Sequence, residues 1–279
     1  MYQYKYPHPA VTADAVVFGF DGKRLHVLLI ERKIEPFKGS WALPGGFMHM
    51  DETIEQCAKR ELEEETGVRN VYLEQFHVFS DPGRDPRERV VTVAFFALVR
   101  KADFQLIAGD DAARASWFDW DELPPLAFDH TEIIAMARRH LPEVLQNRPI
   151  AFKLLDEVFS MPELQTLYEL INNTTYDRRN FARKMTSSKY LKSMNLKEVE
   201  DDEDDFNVDA KMSCSNEHYR SKPSIGNTMM DLCFSAPMED CSDIDSPKPS
   251  RSPKRYLFDD ESYEKDSSED SIQKNPFNP

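Results

Sequence analysis

Residues 46–68 read GFMHMDETIEQCAKRELEEETGV. Thr53 and Gln56 stand three apart, the spacing at which two side chains satisfy each other's backbone N–H groups at a helix start. Gly67 falls where a helix end takes a residue at positive φ. The spacing therefore predicts a helix over residues 53–65 with both ends defined. At 3.6 residues per turn, Glu61, Glu64 and Glu65 share an arc of roughly 100° on the last turn, and Ala58 and Leu62 beside them face inward. Three carboxylates are expected to converge there. They repel one another and lie at the negative end of the helix dipole, so the cluster is unfavourable unless a cation occupies it. Oxygen-only ligands select a hard ion, Mg²⁺ or Mn²⁺. Arg60 is placed to pair with Glu52 and hold the preceding loop against the helix. The plainer reading is a solvated acidic helix face, which is what most Glu-rich helical stretches are.

Outward from this helix, residues 13–20 and 25–30 are apolar and joined through Asp21-Gly22, a pair suited to a tight hairpin. Further strands are expected at residues 71–79, 90–99 and 115–120. Strands around a helix indicate an α/β (α+β) sandwich. Asp129, three before Glu132, starts a second helix over residues 131–141, closed by Pro142. Beyond Pro149 come three short helical pieces, at residues 152–159, 162–171 and 177–185, together the size of a helix-turn-helix unit. Residues 198–253 are acidic, rich in Ser and Pro and poor in periodic apolar residues, the composition of a disordered segment. Residues 254–258 regain strand character.

The chain has 279 residues, 40% of them hydrophobic, and a formal net charge of −15. That charge would argue against a nucleic-acid partner, but acid concentrates in residues 198–205 and 259–270 while residues 178–192 are strongly basic. The four cysteines show no C-x-x-C spacing, so neither a disulfide frame nor a zinc site is expected. No secretory signal and no apolar run near ~18 residues are present, which points to a soluble cytoplasmic protein with no membrane partner.

Gly46, Glu52, Arg60, Glu61, Leu62, Glu64, Glu65, Gly67 and Val68 match, position for position, the pattern G-x5-E-x7-R-E-U-x-E-E-x-G-U, with U a bulky apolar residue. Agreement at this many specified positions decides against the solvated face, and the segment resembles the box of the Nudix family. The resemblance implies a Nudix α/β/α sandwich whose box binds a divalent metal beside a diphosphate. It makes Glu61 and Glu65 principal metal ligands, Glu64 a further ligand or base, and the Gly45 carbonyl a backbone ligand. Some members use a glutamate outside the box as base, and the sequence does not say which acid that would be.

Residues 38–46 (KGSWALPGG), 81–87 (DPGRDPR) and 126–130 (LAFDH) extend the resemblance over about residues 7–195. They point to the ADP-ribose pyrophosphatase-like branch with a C-terminal winged helix, which includes Nudix-related transcriptional regulators of NAD metabolism. Arg84, Arg87 and Arg89 are candidates for phosphate or ribose, against the alternative of a solvated polar loop. His130 reads as a helix-start residue, and His49 occupies an unspecified box position. Regulators of this branch often have ligands replaced. Here every acidic position is intact, which favours hydrolysis, with ADP-ribose to AMP and ribose 5-phosphate the first expectation.

A winged helix would cap its third helix with Asp177, bury Phe181 and Met185, and turn Arg179 and Arg183 outward. Arg178, Arg179, Arg183 and Lys184 are then the DNA-binding candidates, supplemented by Lys189 and Lys192. The alternatives are a basic face merely solvated or paired with the acidic stretch, or a protein partner. Residues 190–197 and 254–258 would supply the two wing strands, which family members join by a short turn. The expected organisation is a Nudix domain at 1–148, a winged-helix-like domain at 149–197, a disordered insertion at 198–253, and a wing strand with a disordered end at 254–279. Dimers are common among such relatives, so a homodimer is expected.

Overall fold

The computed structural model describes residues 5–104, 106, 112–188, 190–194 and 254–263. β1 (Ala10–Phe20) and β2 (Leu25–Arg32) form the expected antiparallel hairpin, with Phe20 opposite Leu25. The Asp21 carboxylate accepts the N–H groups of Lys23 and Arg24 at 3.0 and 2.8 Å, and Gly22 takes φ 87°. An Asx-type turn thus closes the hairpin. β3 (Trp41–Ala42) and β7 (Ala112–Asp119) both pair with β2, and β4 (Gly45–Phe47) pairs with β1. β6 (Val90–Arg100) runs parallel to β1 and carries β5 (Glu74–Phe79) on its other side, completing a seven-stranded mixed sheet.

The period of two in β1 distributes its side chains between two cores. Val16, Phe18 and Phe20 face one side, while Ala13, Ala15 and Val17 face the other, against Cys57, Ala58 and Leu62 of α1 (Ile54–Thr66). The first side is covered by α2 (His130–Asn147), through Ile133, Ile134, Ala137, Leu141, Val144 and Leu145. A sheet buried on both faces between helices is the expected α/β/α sandwich.

α2 departs from expectation at both ends. It runs through Pro142 to Asn147 instead of stopping at Leu141. An interior proline costs about 3 kcal/mol, but Val144 and Leu145 continue the buried stripe, and each such side chain gains roughly 1.5–3 kcal/mol on burial. The capping box at Asp129 is not made either, because its carboxylate is occupied by Arg84.

Residues 152–159 are likewise not a helix. A short 3₁₀ turn (Ile150–Leu154) leads into β8 (Val158–Ser160). Ser160 and Glu163 form a full capping box, which fixes the start of α3 (Met161–Asn172) and leaves the residues before it extended. α4 (Arg178–Thr186) follows, N-capped by Asp177 as expected, with Phe181 and Met185 buried. β9 (Leu191–Met194) pairs with β10 (Arg255–Phe258), Leu191 opposite Phe258 and Met194 opposite Arg255, the wing pairing the sequence suggested. β10 also pairs with β8 and is therefore the central strand of three. The expected disordered segment at 198–253, residues 195–197, residues 264–279 and Lys189 lie outside the described residues.

One apolar cluster runs from Phe18 and Phe96 of the sheet through α2 to Leu164, Tyr168, Phe181 and Met185. The helices after Pro149 thus share their core with the sheet. No helix among the described residues is long and apolar enough to cross a membrane.

Candidate functional site

The ends of α1 are built as its sequence implies. Thr53 Oγ1 accepts the Gln56 N–H at 3.3 Å, Gln56 Oε1 accepts the Thr53 N–H at 2.7 Å, and Gly67 at φ 75° donates to the Glu63 carbonyl at 2.9 Å. Arg60 clamps the loop before the helix through Nε to Glu52 Oε2 at 2.9 Å and Nη2 to Glu52 Oε1 at 2.7 Å. These bonds hold the Glu52 carboxyl down to about 2, and raise the Arg60 guanidinium in turn. Arg60 Nη2 also donates to the Phe47 carbonyl at 3.2 Å, tying α1 to β4.

Above this clamp lies a cavity of about 230 Å³, walled by β1, β2, β4, α1 and the segments around Arg84 and Phe128. Glu65 is buried and accepts the Gly45 N–H at 2.9 Å. Burial pushes its carboxyl up to about 8, with Glu61 and Asp14 adding to the rise and the Gly45 hydrogen bond opposing it. Glu61 is also raised by burial, against the pull of Arg60 at 2.8 Å. The backbone of β4 passes so close that a Cβ on Gly46 would fall 2.3 Å from Glu61 Oε1, and one on Gly45 would fall 2.2 Å from the Ala13 carbonyl. Gly45, at φ 157° against backbone, requires glycine, whereas a side chain at Gly46 would displace the Glu61 carboxylate.

The expected convergence of three carboxylates is corrected to two. Glu61 and Glu65 line the cavity, whereas Glu64 is largely exposed and turns onto Arg60 Nη1 at 3.0 Å. Arg60 has a guanidinium edge to offer, and a helix-surface carboxylate four residues on is within its reach. Among the described residues no three Asp, Glu, His or Cys side chains are grouped to hold a metal. The carboxylates that face the cavity, Glu61 and Glu65 with Asp14 beside them, are hard oxygen donors whose charges repel one another, so their chemistry fits a hard divalent cation. A third box carboxylate joins them only if Glu64 leaves Arg60.

Of the three loop arginines, Arg84 and Arg87 line the cavity. Arg84 is buried and bidentate to Asp129 at 2.8 and 2.7 Å. Arg87 is bidentate to Asp85 and stacks on Phe47 and Phe128. Arg89 donates to the backbone carbonyls of Asp81 and Val90 and is absent from the lining. His130 begins α2 as read, and it also reaches the cavity. Its Nδ1 accepts the Leu43 N–H at 2.8 Å and burial depresses its pKa, so the ring is neutral with its proton on Nε2, facing Asp14.

Sequence reasoning missed Thr12, Asp14, Arg32, Asp85 and Phe128, all of which line the cavity. Asp14 is held by the Thr92 hydroxyl at 2.6 Å and by Arg84 at 3.5 Å. A lone charge inside the apolar run of residues 10–20 was the available signal. Thr12 Oγ1 and Arg32 Nη2 are buried without a hydrogen-bond partner among the described residues, and both residues line the cavity.

On α4, Arg178, Arg179, Arg183 and Lys184 are all exposed. Arg183 donates to Asn180 Oδ1 at 2.9 Å. Lys192 pairs with Asp259 at 2.5 Å.

Residues 8–137 match the model of the NUDIX domain, and residues 151–203 that of the NrtR DNA-binding winged helix domain. The chain is 36% identical to the ADPR responsive transcriptional repressor NtrR of Acinetobacter baylyi, over 66% of this chain and 74% of that protein. It is 45% identical to the ADP-ribose pyrophosphatase of Methanocaldococcus jannaschii, over 46% of this chain and 73% of that one. Among solved structures, NrtR of Shewanella oneidensis complexed with a 27mer DNA superposes with a TM-score of 0.56 at 32% identity, covering 67% of this chain and 86% of that one. The box on α1, the sandwich that frames it and the winged helix packed behind it accordingly place the chain in the Nudix family, among members that carry an NrtR-type winged helix.

Proposed function

We propose that this chain hydrolyses the diphosphate linkage of a nucleoside diphosphate derivative with Mg²⁺ or Mn²⁺, and that ADP-ribose, giving AMP and ribose 5-phosphate, is the first substrate to try. The observation that carries this reading is the Glu61–Glu65 pair, a half-buried and a buried carboxylate, both raised by burial and pressed against a glycine strand inside a cavity. The similarity to an ADP-ribose pyrophosphatase supports the choice of substrate. A bound divalent ion supplies charge neutralisation for the diphosphate and lowers the pKa of its water. Glu61 and Glu65, with the Gly45 carbonyl, would hold it, and Glu64 would serve as further ligand or base on leaving Arg60. Arg60 fixes Glu52 and Glu61 in place. Arg87 is positioned toward phosphate or ribose, while Arg84 shapes the wall through Asp14 and Asp129 and Arg89 braces the loop backbone. Glu65→Gln is expected to lower AMP release by on the order of 10²–10³, the scale for losing one charge-stabilising group. Wild-type turnover in that variant would remove Glu65 from the ligand set.

A second reading rests on α4. Arg178, Arg179 and Lys184 project from a capped helix without a carboxylate partner among the described residues, a surface suited to DNA phosphate and groove edges. Similarity to a repressor and to a DNA-bound relative favours it. In this reading a cytoplasmic homodimer places one α4 on each half-site, the nucleotide is its effector, and turnover resets the switch. Arg179→Ala with Arg183→Ala should abolish salt-sensitive DNA binding. Absence of wild-type binding even at low salt would leave the enzyme reading alone, with the helical unit a candidate for a protein partner.

A further inference from the structure

One wall of the cavity is cationic and aromatic. Arg32 ends β2, and its Nε donates to the Pro36 carbonyl at 2.9 Å, which fixes the guanidinium plane. The guanidinium carbon lies 4.9 Å from the centroid of the Phe128 ring. Arg87 approaches the same ring at 5.4 Å and the Phe47 ring at 4.8 Å. All four side chains line the cavity that contains Glu61 and Glu65. Phe128 stands at φ 53° and packs edge-on against Phe37, itself at φ 63°, with centroids 4.9 Å apart. Bulky residues hold that backbone region only where their surroundings enforce it, and it concentrates at ligand clamps.

Arg32 differs from its neighbours in one respect. Arg60, Arg84 and Arg87 each end in a carboxylate, on Glu52, Asp129 and Asp85. Arg32 ends in a buried Nη2 that has no acceptor among the described residues. Burial and the nearby Arg87 charge both work against its positive form. An unmatched buried donor and two like charges on one ring are each unfavourable, and a single anion between the guanidiniums relieves both.

We propose that the Arg32 guanidinium, braced by Phe128 and Arg87, donates to a phosphate oxygen of the bound diphosphate, and that this contact lets the cavity hold the nucleotide without a divalent ion. The inference rests on the nucleoside diphosphate reading above and separates occupancy from cleavage. Box carboxylates and cation govern hydrolysis, while the arginine wall governs binding. A regulator needs that separation, since its effector must stay bound whether or not it is turned over.

The test is calorimetric titration of the full chain with ADP-ribose, and separately with inorganic diphosphate, in excess EDTA. Wild-type protein should bind ADP-ribose under these conditions, and Arg32→Ala should weaken that binding at least tenfold with the melting temperature unchanged. Should the alanine variant melt early, Arg32→Gln keeps the packing and an N–H donor but loses the charge, and is expected to weaken binding by a similar factor. Two outcomes overturn the inference: no wild-type binding in EDTA although Mg²⁺-dependent cleavage occurs, or wild-type affinity in both Arg32 variants. If inorganic diphosphate binds through Arg32 while ADP-ribose is neither bound nor cleaved, the inference stands and the choice of nucleotide falls.

Discussion

Glu65 illustrates how a single buried side chain couples folding, proton and cation. Its carboxyl, lifted to about 8, is mostly protonated at neutral pH in the metal-free protein. The folded value lies above the unfolded one, so the stabilisation it contributes is complete below about 4.5 and disappears as pH rises through 8. Metal-free wild type should therefore lose melting temperature between neutral and mildly alkaline pH, and Glu65→Gln should flatten that part of the curve. A divalent cation bound at Glu65 would displace the proton, so calorimetric enthalpies of the proposed metal binding below pH 8 should depend on the buffer's ionisation heat. Equal enthalpies in two buffers would contradict the assignment. The box residues were legible in the sequence because fixed spacing on one helix dictates where they lie. Asp14, Arg32 and Phe128 were not, since each reaches the cavity from a different element and only the tertiary fold brings them together. Spacing gives Glu64 its bearing on the helix but not its partner, which in this structure is Arg60.

At the level of elements, both cores follow from alternation in β1 and from the stripe on α2, and α1, α3 and α4 lie where their capping residues put them. Two misreadings share a cause. Local preference alone makes Pro142 a stop and residues 152–159 a helix. In α2 the buried run from Ile133 to Leu145 outweighs the proline, and before α3 the Ser160–Glu163 box and pairing with β10 outweigh helical propensity. The Pro142 ring also leaves one helical carbonyl without its N–H. Pro142→Ala should therefore stabilise the protein, by about 1–3 kcal/mol, read as a raised urea midpoint at unchanged slope. A lowered midpoint would mean that the proline relieves a strain the helix otherwise carries.

For the whole molecule, the decisive arrangement is the origin of β10. The strand between β8 and β9 comes from residues 255–258, beyond a stretch of about 60 residues that separates it from Met194 in the chain. Phe258 stacks on Phe152 at 4.1 Å, with planes 4° apart, so the same strand also seals the 3₁₀ turn against the core. A chain ending at residue 253 should keep nucleotide hydrolysis and lose DNA binding, with the protease sensitivity of α3 and α4 rising. Full DNA affinity in that truncation would show β10 to be dispensable. The placement also imposes an order on biosynthesis. The sandwich and its box are fully synthesised by Asn147, whereas the winged unit waits for Phe258, more than 100 residues of translation later. A nascent chain thus completes the Nudix fold well before it can complete the winged helix.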